Sequence, residues 1–153
     1  MIYNKIISAL KKYNLPYREI VHKPMKTIAD AIRILGINVG EGTKSIAVKS
    51  KSDFFVITVL DNERVDLKNF RNSIVLGKLS LINQQELKNI IGVDEGGLSP
   101  LGYQEPIKTY IANNVFNCNG LFINPGRNDR TIEISGSTLK ILAEHFETNI
   151  FQN

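Results

Sequence analysis

The chain has 153 residues, enough for one domain with a substantial hydrophobic core. Hydrophobic residues make up 42% and charged residues 22%, the balance of an ordinary globular domain, and no apolar run approaches the ~18 residues a membrane helix needs. The net charge of +4 is spread along the chain and forms no basic tract, so it favours a polyanionic partner only mildly.

The start reads as a helix, because Ile2, Ile6, Leu10 and Tyr13 recur at helical spacing. Pro16 disfavours helix at the residue before it, and residues 17–21 then read as a short strand. Thr27 and Asp30 form a capping-box pattern ahead of a helix that should carry Ile28, Ala31, Ile32 and Leu35 inward and end at Gly36. Residues 45–49 and 54–60 are β-branched and aromatic runs parted by a polar turn, which predicts an antiparallel hairpin. A short helix capped by Asp66 and a strand over 76–82 follow. Asn83 with Glu86 then marks a helix ending at Gly92. After a glycine-rich loop come a strand over 107–112, a strand pair over 121–124 and 131–135, and an amphipathic helix over 137–146. This order lacks regular βαβ alternation and predicts one α+β domain over 1–153. Its sheet should be mixed and largely antiparallel, with enough short strands for partial closure into a barrel.

Four segments stand out chemically. Lys44, between a glycine-bearing loop and a strand, can hold a phosphate or ribose oxygen as a compact charge. Read locally, it is as readily a solvated strand-end lysine. It does not close a P-loop, because Thr43 occupies the place of that motif's second glycine. The run from Gly92 to Gly102 holds four glycines and one proline, a density suited to main-chain amides that face an oxygen. The turn at Asn124, Pro125, Gly126 and Arg127 is an ordinary polar hairpin turn or a phosphate contact. His22, two residues before Pro24, is by itself more readily structural than catalytic.

No serine, cysteine and histidine spacing yields a nucleophilic triad, and Ser99 lacks the nucleophile-elbow pattern. Cys118 stands alone, which excludes an internal disulfide and agrees with a reducing cytoplasm. With only His22 and His145 beside it, no zinc spacing exists, and no cofactor is implied. The N-terminus carries no signal-peptide pattern.

Taken in order, the four segments resemble the YbaK/prolyl-tRNA synthetase-associated domain, over about residues 17–142. The matching residues are His22-x-Pro24 with residues 27–31, Lys44 through Val48, the loop Gly96-Gly97-Leu98-Ser99-Pro100-Leu101-Gly102, and Gly126-Arg127. The resemblance implies a mixed, largely antiparallel sheet forming a partly closed barrel flanked by helices. It also implies a cytoplasmic hydrolase that removes amino acids from mischarged tRNA, with the tRNA 3′ end and prolyl-tRNA synthetase as partners and no metal. Cys-tRNA(Pro), or a related small amino acid on proline tRNA, is the implied substrate; the alternative is a tRNA- or nucleotide-binding module without turnover. In this view Lys44 holds the terminal adenosine or its phosphate, and main-chain groups of Gly96 and Gly97 orient the aminoacyl carbonyl. The cysteine-specific branch uses the substrate's own thiol, so no enzyme nucleophile is required. Ile20, His22, Ser45, Ser99, Pro100, Asn124, Gly126, Arg127 and Thr138 then border the substrate. Ile20, Asn124 and Thr138 depart from the family pattern, which places the choice of amino acid at these positions.

Overall fold

The computed structural model describes every residue except Val75 and Leu76. Helix α1 (Ile2–Lys12) buries Ile6, Ala9 and Leu10 and stops where Asn14 turns to a positive φ of 52°. Strand β1 (Arg18–Val21) leads to α2 (Ile28–Leu35). There the Thr27 hydroxyl accepts the Asp30 N–H and the Asp30 carboxylate accepts the Thr27 N–H. The expected capping box is present, and Gly36 closes the helix at φ 68°.

Strands β2 (Thr43–Lys49) and β3 (Phe54–Leu60) form the predicted antiparallel hairpin, Lys44 pairing with Val59. Helix α3 (Leu67–Ile74) is capped by the Asp66 carboxylate, which accepts the Asn69 N–H. The strand expected over 76–82 is limited to β4 (Ser80–Leu81), and Leu76 lies outside the described residues. Asn83 caps α4 (Gln84–Glu86), but the segment then widens into a π turn over Leu87–Ile91 before Gly92. The remaining elements are β5 (Ile107–Ala112), a 3₁₀ turn (Asn113–Asn117), β6 (Leu121–Ile123), β7 (Arg130–Ile134), α5 (Gly136–His145) and β8 (Asn149–Phe151).

These strands form two sheets, β4-β2-β3-β5-β8 and β1-β7-β6. β3 is central in the larger sheet, and its residues from Phe55 to Val59 are all buried, which explains the β-branched and aromatic run. Among the described residues, β3–β5 and β5–β8 pair parallel and the other four pairings are antiparallel. The sheets meet at one bridge, between Gly42 and Phe122. The Phe122 N–H donates to the Glu41 carbonyl at 3.0 Å and the Thr43 hydroxyl to the Phe122 carbonyl at 3.1 Å. No ladder among the described residues closes the sheets into a ring. The architecture is α+β with a mixed sheet.

The main core lies under α1 and α5. It is extended by an aromatic group in which Phe70 meets Tyr110 and Phe151 edge-on, with centroids 5.0 and 5.5 Å apart. β8, which contributes Phe151, has no counterpart in the sequence reading. Helix α2 also differs from expectation. None of its residues is fully buried, and Ile28, Ala31 and Leu35 wall a cavity instead of entering the core.

Candidate active site

That cavity, of about 360 Å³, lies where α2, the start of β2, the seam between the sheets and the glycine loop converge. Lys44, Ser45, Gly96 and Asn124 all line it, so four of the residues singled out from sequence meet in one place. Thr43, Asp61, Leu98 and Thr131 line it as well and were not among the site residues expected from sequence. Among the described residues no helix is long and apolar enough to cross a membrane, and no three metal-binding side chains gather.

Each wall is held by identifiable contacts. Gly96 has φ 79°, and a Cβ there would run into the Met25 carbonyl and come within 2.9 Å of the Lys26 Cα. Only glycine lets the loop lie this close to the segment that enters α2. The Asn124 amide donates to the Gly96 carbonyl, while its Oδ1 accepts the N–H groups of Gly126 at 2.7 Å and Arg127 at 3.1 Å. Asn124 therefore ties the late turn to the glycine loop. Below it, the Tyr103 hydroxyl donates to the Ser99 carbonyl at 2.7 Å, and burial pushes that phenol far above its ordinary range.

The cavity's hydroxyls are already engaged. The Thr27 hydroxyl caps α2, Thr43 donates to the Phe122 carbonyl, and Ser45 bonds Thr58 at 2.6 Å. Thr131 bonds His22 Nε2 at 2.8 Å. His22 Nδ1 lies 2.7 Å from the Lys23 carbonyl, which only accepts, so that nitrogen carries a proton. In the neutral ring Nε2 then accepts from Thr131, and the threonine's lone pairs are left for other donors.

Charge is distributed unevenly. Lys26 and Glu95 pair across the rim at 3.8 Å. Lys44 and Asp61 have no ion-pair partner among the described residues. Thus one cation and one carboxylate of the cavity make no direct ion pair among the described residues.

The other positions read from sequence lie away from the cavity lining. Ile20 stands opposite Thr131 across the β1–β7 pairing, and His22 sits behind that threonine. Ser99 and Pro100 are buried beneath the loop, where the Ser99 hydroxyl bonds Leu101. Gly97 is turned to a second hollow, of about 410 Å³, and its N–H donates to the Asp94 carbonyl at 2.9 Å. Gly126 and Arg127 line that hollow too. Arg127 is held in a two-pronged bond by Asp129, at 2.8 and 2.9 Å. Thr138 is buried in the first turn of α5, its N–H bonded to the Ser135 hydroxyl at 3.1 Å.

The chain as a whole is similar to known proteins. A protein of Enterococcus faecalis, provisionally assigned as the Cys-tRNA(Pro)/Cys-tRNA(Cys) deacylase EbsC, is 23% identical over 133 residues, covering 82% of this chain and 79% of its own. The prolyl-tRNA editing protein ProX of Acetoanaerobium sticklandii is 23% identical over 142 residues, covering 88% and 86%. Among solved structures, that of a hypothetical protein superposes with a TM-score of 0.82 at 19% identity, covering 97% of both chains. Another, provisionally assigned as a trans-editing enzyme for prolyl-tRNA synthetase, gives 0.77 at 17% identity, covering 99% of this chain and 95% of its own. The sequence profile of the aminoacyl-tRNA editing domain matches residues 22–141, most of the chain. The chain therefore belongs to the aminoacyl-tRNA editing domain family.

Proposed function

We propose that residues 1–153 form a single editing unit acting in trans, a cytoplasmic deacylase that hydrolyses mischarged tRNA. Cys-tRNA(Pro), or a related small amino acid on proline tRNA, is the proposed substrate, and prolyl-tRNA synthetase the proposed partner. The single observation that carries this reading is the cavity in which unpaired Lys44 shares a wall with Gly96. Lys44 takes the oxygens of the terminal nucleotide, Gly96 borders the aminoacyl carbonyl, and the two sheets joined at Gly42 and Phe122 serve as a partly wrapped barrel wall. The Thr27, Thr43 and Ser45 hydroxyls are engaged within the protein, and in this reading the attacking group is water or the substrate's own side chain rather than Thr131. Catalysis then rests on positioning and electrostatics. Ile20, His22, Ser45 and Asn124 shape the acyl end, directly or through Thr131. Ser99, Pro100 and Thr138 act at a distance, by supporting the loop and α5, and Gly126 with Arg127 borders the outer rim.

The test is a deacylation panel of Cys-, Ala- and Ser-charged proline tRNA with wild type and Lys44→Ala. Release from at least one charged tRNA, lost in the variant, is expected; a panel left intact by wild type sinks the reading. One observation favours a non-catalytic tRNA-binding module instead. The Gly97 N–H is committed to Asp94, which leaves fewer amides for a developing oxyanion. Salt-sensitive tRNA binding without release would decide for that module.

A further inference from the structure

We infer that Asp61 is the anchor for the α-ammonium group of the aminoacyl ester, an assignment that rests on the editing reading above. Asp61 follows directly after β3 and is only 7% exposed, yet it lines the cavity. One carboxylate oxygen accepts the Gly40 N–H. The other lies against Gly42, where an added Cβ would come within 2.8 Å of it. The missing side chain at position 42 is what makes room for the carboxylate beside the seam. Burying a carboxylate without a cation is costly, and no lysine, arginine or histidine among the described residues pairs with Asp61.

A ligand that relieves this cost must bring a positive group. Asp61 belongs to no group of three or more metal-binding side chains among the described residues, so a metal ion fits poorly. An organic ammonium fits better. Lys44 pairs with Val59, two residues before Asp61, so the two charges start roughly 7 Å apart along the hairpin. An aminoacyl ester of adenosine presents complementary groups on this scale, an ammonium beside the ester carbon and electron-rich oxygens on the ribose and phosphate side.

The test uses non-hydrolysable 3′-amide analogues of alanyl-adenosine and of its lactyl counterpart, in which a hydroxyl replaces the ammonium with little change in size. Both are titrated calorimetrically into the full chain and into Asp61→Asn, which keeps an oxygen for the Gly40 N–H and loses the charge. Wild type should bind the alanyl form about tenfold to a hundredfold more tightly than the lactyl form. Asp61→Asn should erase that preference by weakening the alanyl form alone. Equal binding of the two forms by wild type, or an undiminished preference in Asp61→Asn, overturns the assignment. An Asp61 acting only as general base would give that second result while turnover collapsed. Parallel deacylation of alanyl- and lactyl-tRNA keeps the two readings apart. Preference without hydrolysis would remove the editing reading and leave Asp61 as an ammonium site; hydrolysis without preference would do the reverse.

Discussion

The glycine loop separates two hollows of similar size, and they differ in how their charges are used. In the hollow that contains Gly97, every charged side chain among the described residues is in an ion pair, Asp94 with Lys88 at 3.4 Å and Arg127 with Asp129 at 2.8 Å. Arg127 also lies over the Tyr3 ring, 5.4 Å from its centre. In the cavity that contains Gly96, Lys44 and Asp61 have no such partners. A compensated ion pair near the surface contributes little and asks for no ligand. An unpaired cation and a buried unpaired carboxylate facing the same space can be satisfied by one. Size does not distinguish the two hollows; charge commitment does.

The largest expected effect follows directly. Lys44→Ala should lower kcat/KM for deacylation at least about a hundredfold, the scale of losing one charged stabilising group in a closed site. Its melting temperature should stay close to wild type, because Lys44 makes no ion pair or side-chain hydrogen bond among the described residues. A variant that deacylates normally would abolish the contrast between the hollows. Gly96→Ala should come next. Its left-handed backbone costs about 1–2 kcal/mol for a residue with a Cβ, before the collision with the 25–26 segment. Thermal unfolding should shift down by at least about 3–6 °C, with turnover reduced as the loop moves off the cavity.

The structure also shows why the sequence was informative in some places and silent in others. Thr27 with Asp30, Asn83 with Glu86 and the hairpin over 43–60 are local signals, and local hydrogen bonds realise them. β8 gave no signal, because three residues after a helix have no period to read and owe their place to pairing with β5. Lys44 and Gly96 were legible as unusual residues in a fixed order. Asp61 and Thr131 were not, since one directly follows a strand and the other sits inside one. Their meaning arises only when the seam brings Gly42 beside Asp61 and β1 brings His22 beside Thr131. Gly97 illustrates the converse. Adjacent to Gly96 in sequence, it faces the other hollow, because the φ of 79° at Gly96 reverses the chain between them.

Thr131 offers a sharper cut through the cavity. A hydroxyl bonded to an imidazole whose far nitrogen is fixed by a carbonyl has the form of an activated nucleophile. If attack comes from water or from the substrate, Thr131→Val should reduce kcat less than about tenfold, with ~1 kcal/mol of stability lost from the orphaned His22 nitrogen. A loss as deep as that of Lys44→Ala, together with a trapped acyl-enzyme in wild type, would instead make Thr131 the nucleophile.

The smallest effect is expected at Arg127. Because Asp129 already occupies its guanidinium, Arg127→Ala should change tRNA affinity no more than about twofold, more visibly at low salt, and leave saturated deacylation unchanged. Its signature is acid stability. A hydrogen bond from Arg127 holds the Asp129 carboxyl below the ordinary aspartate range, with charge attraction from Arg127 and Arg130 adding to it. A carboxyl lowered in the folded state stabilises the fold above its unfolded pKa, and that stabilisation is lost as pH falls through the folded value. Wild type should therefore melt slightly above Arg127→Ala at neutral pH, and the gap should close as the solution is acidified below the ordinary aspartate range. A gap that widened in acid would mean that Arg127 is held by something other than this carboxylate. If Arg127→Ala instead lost deacylation as Lys44→Ala is expected to, the second hollow would belong to the substrate, and charge commitment would no longer separate the two.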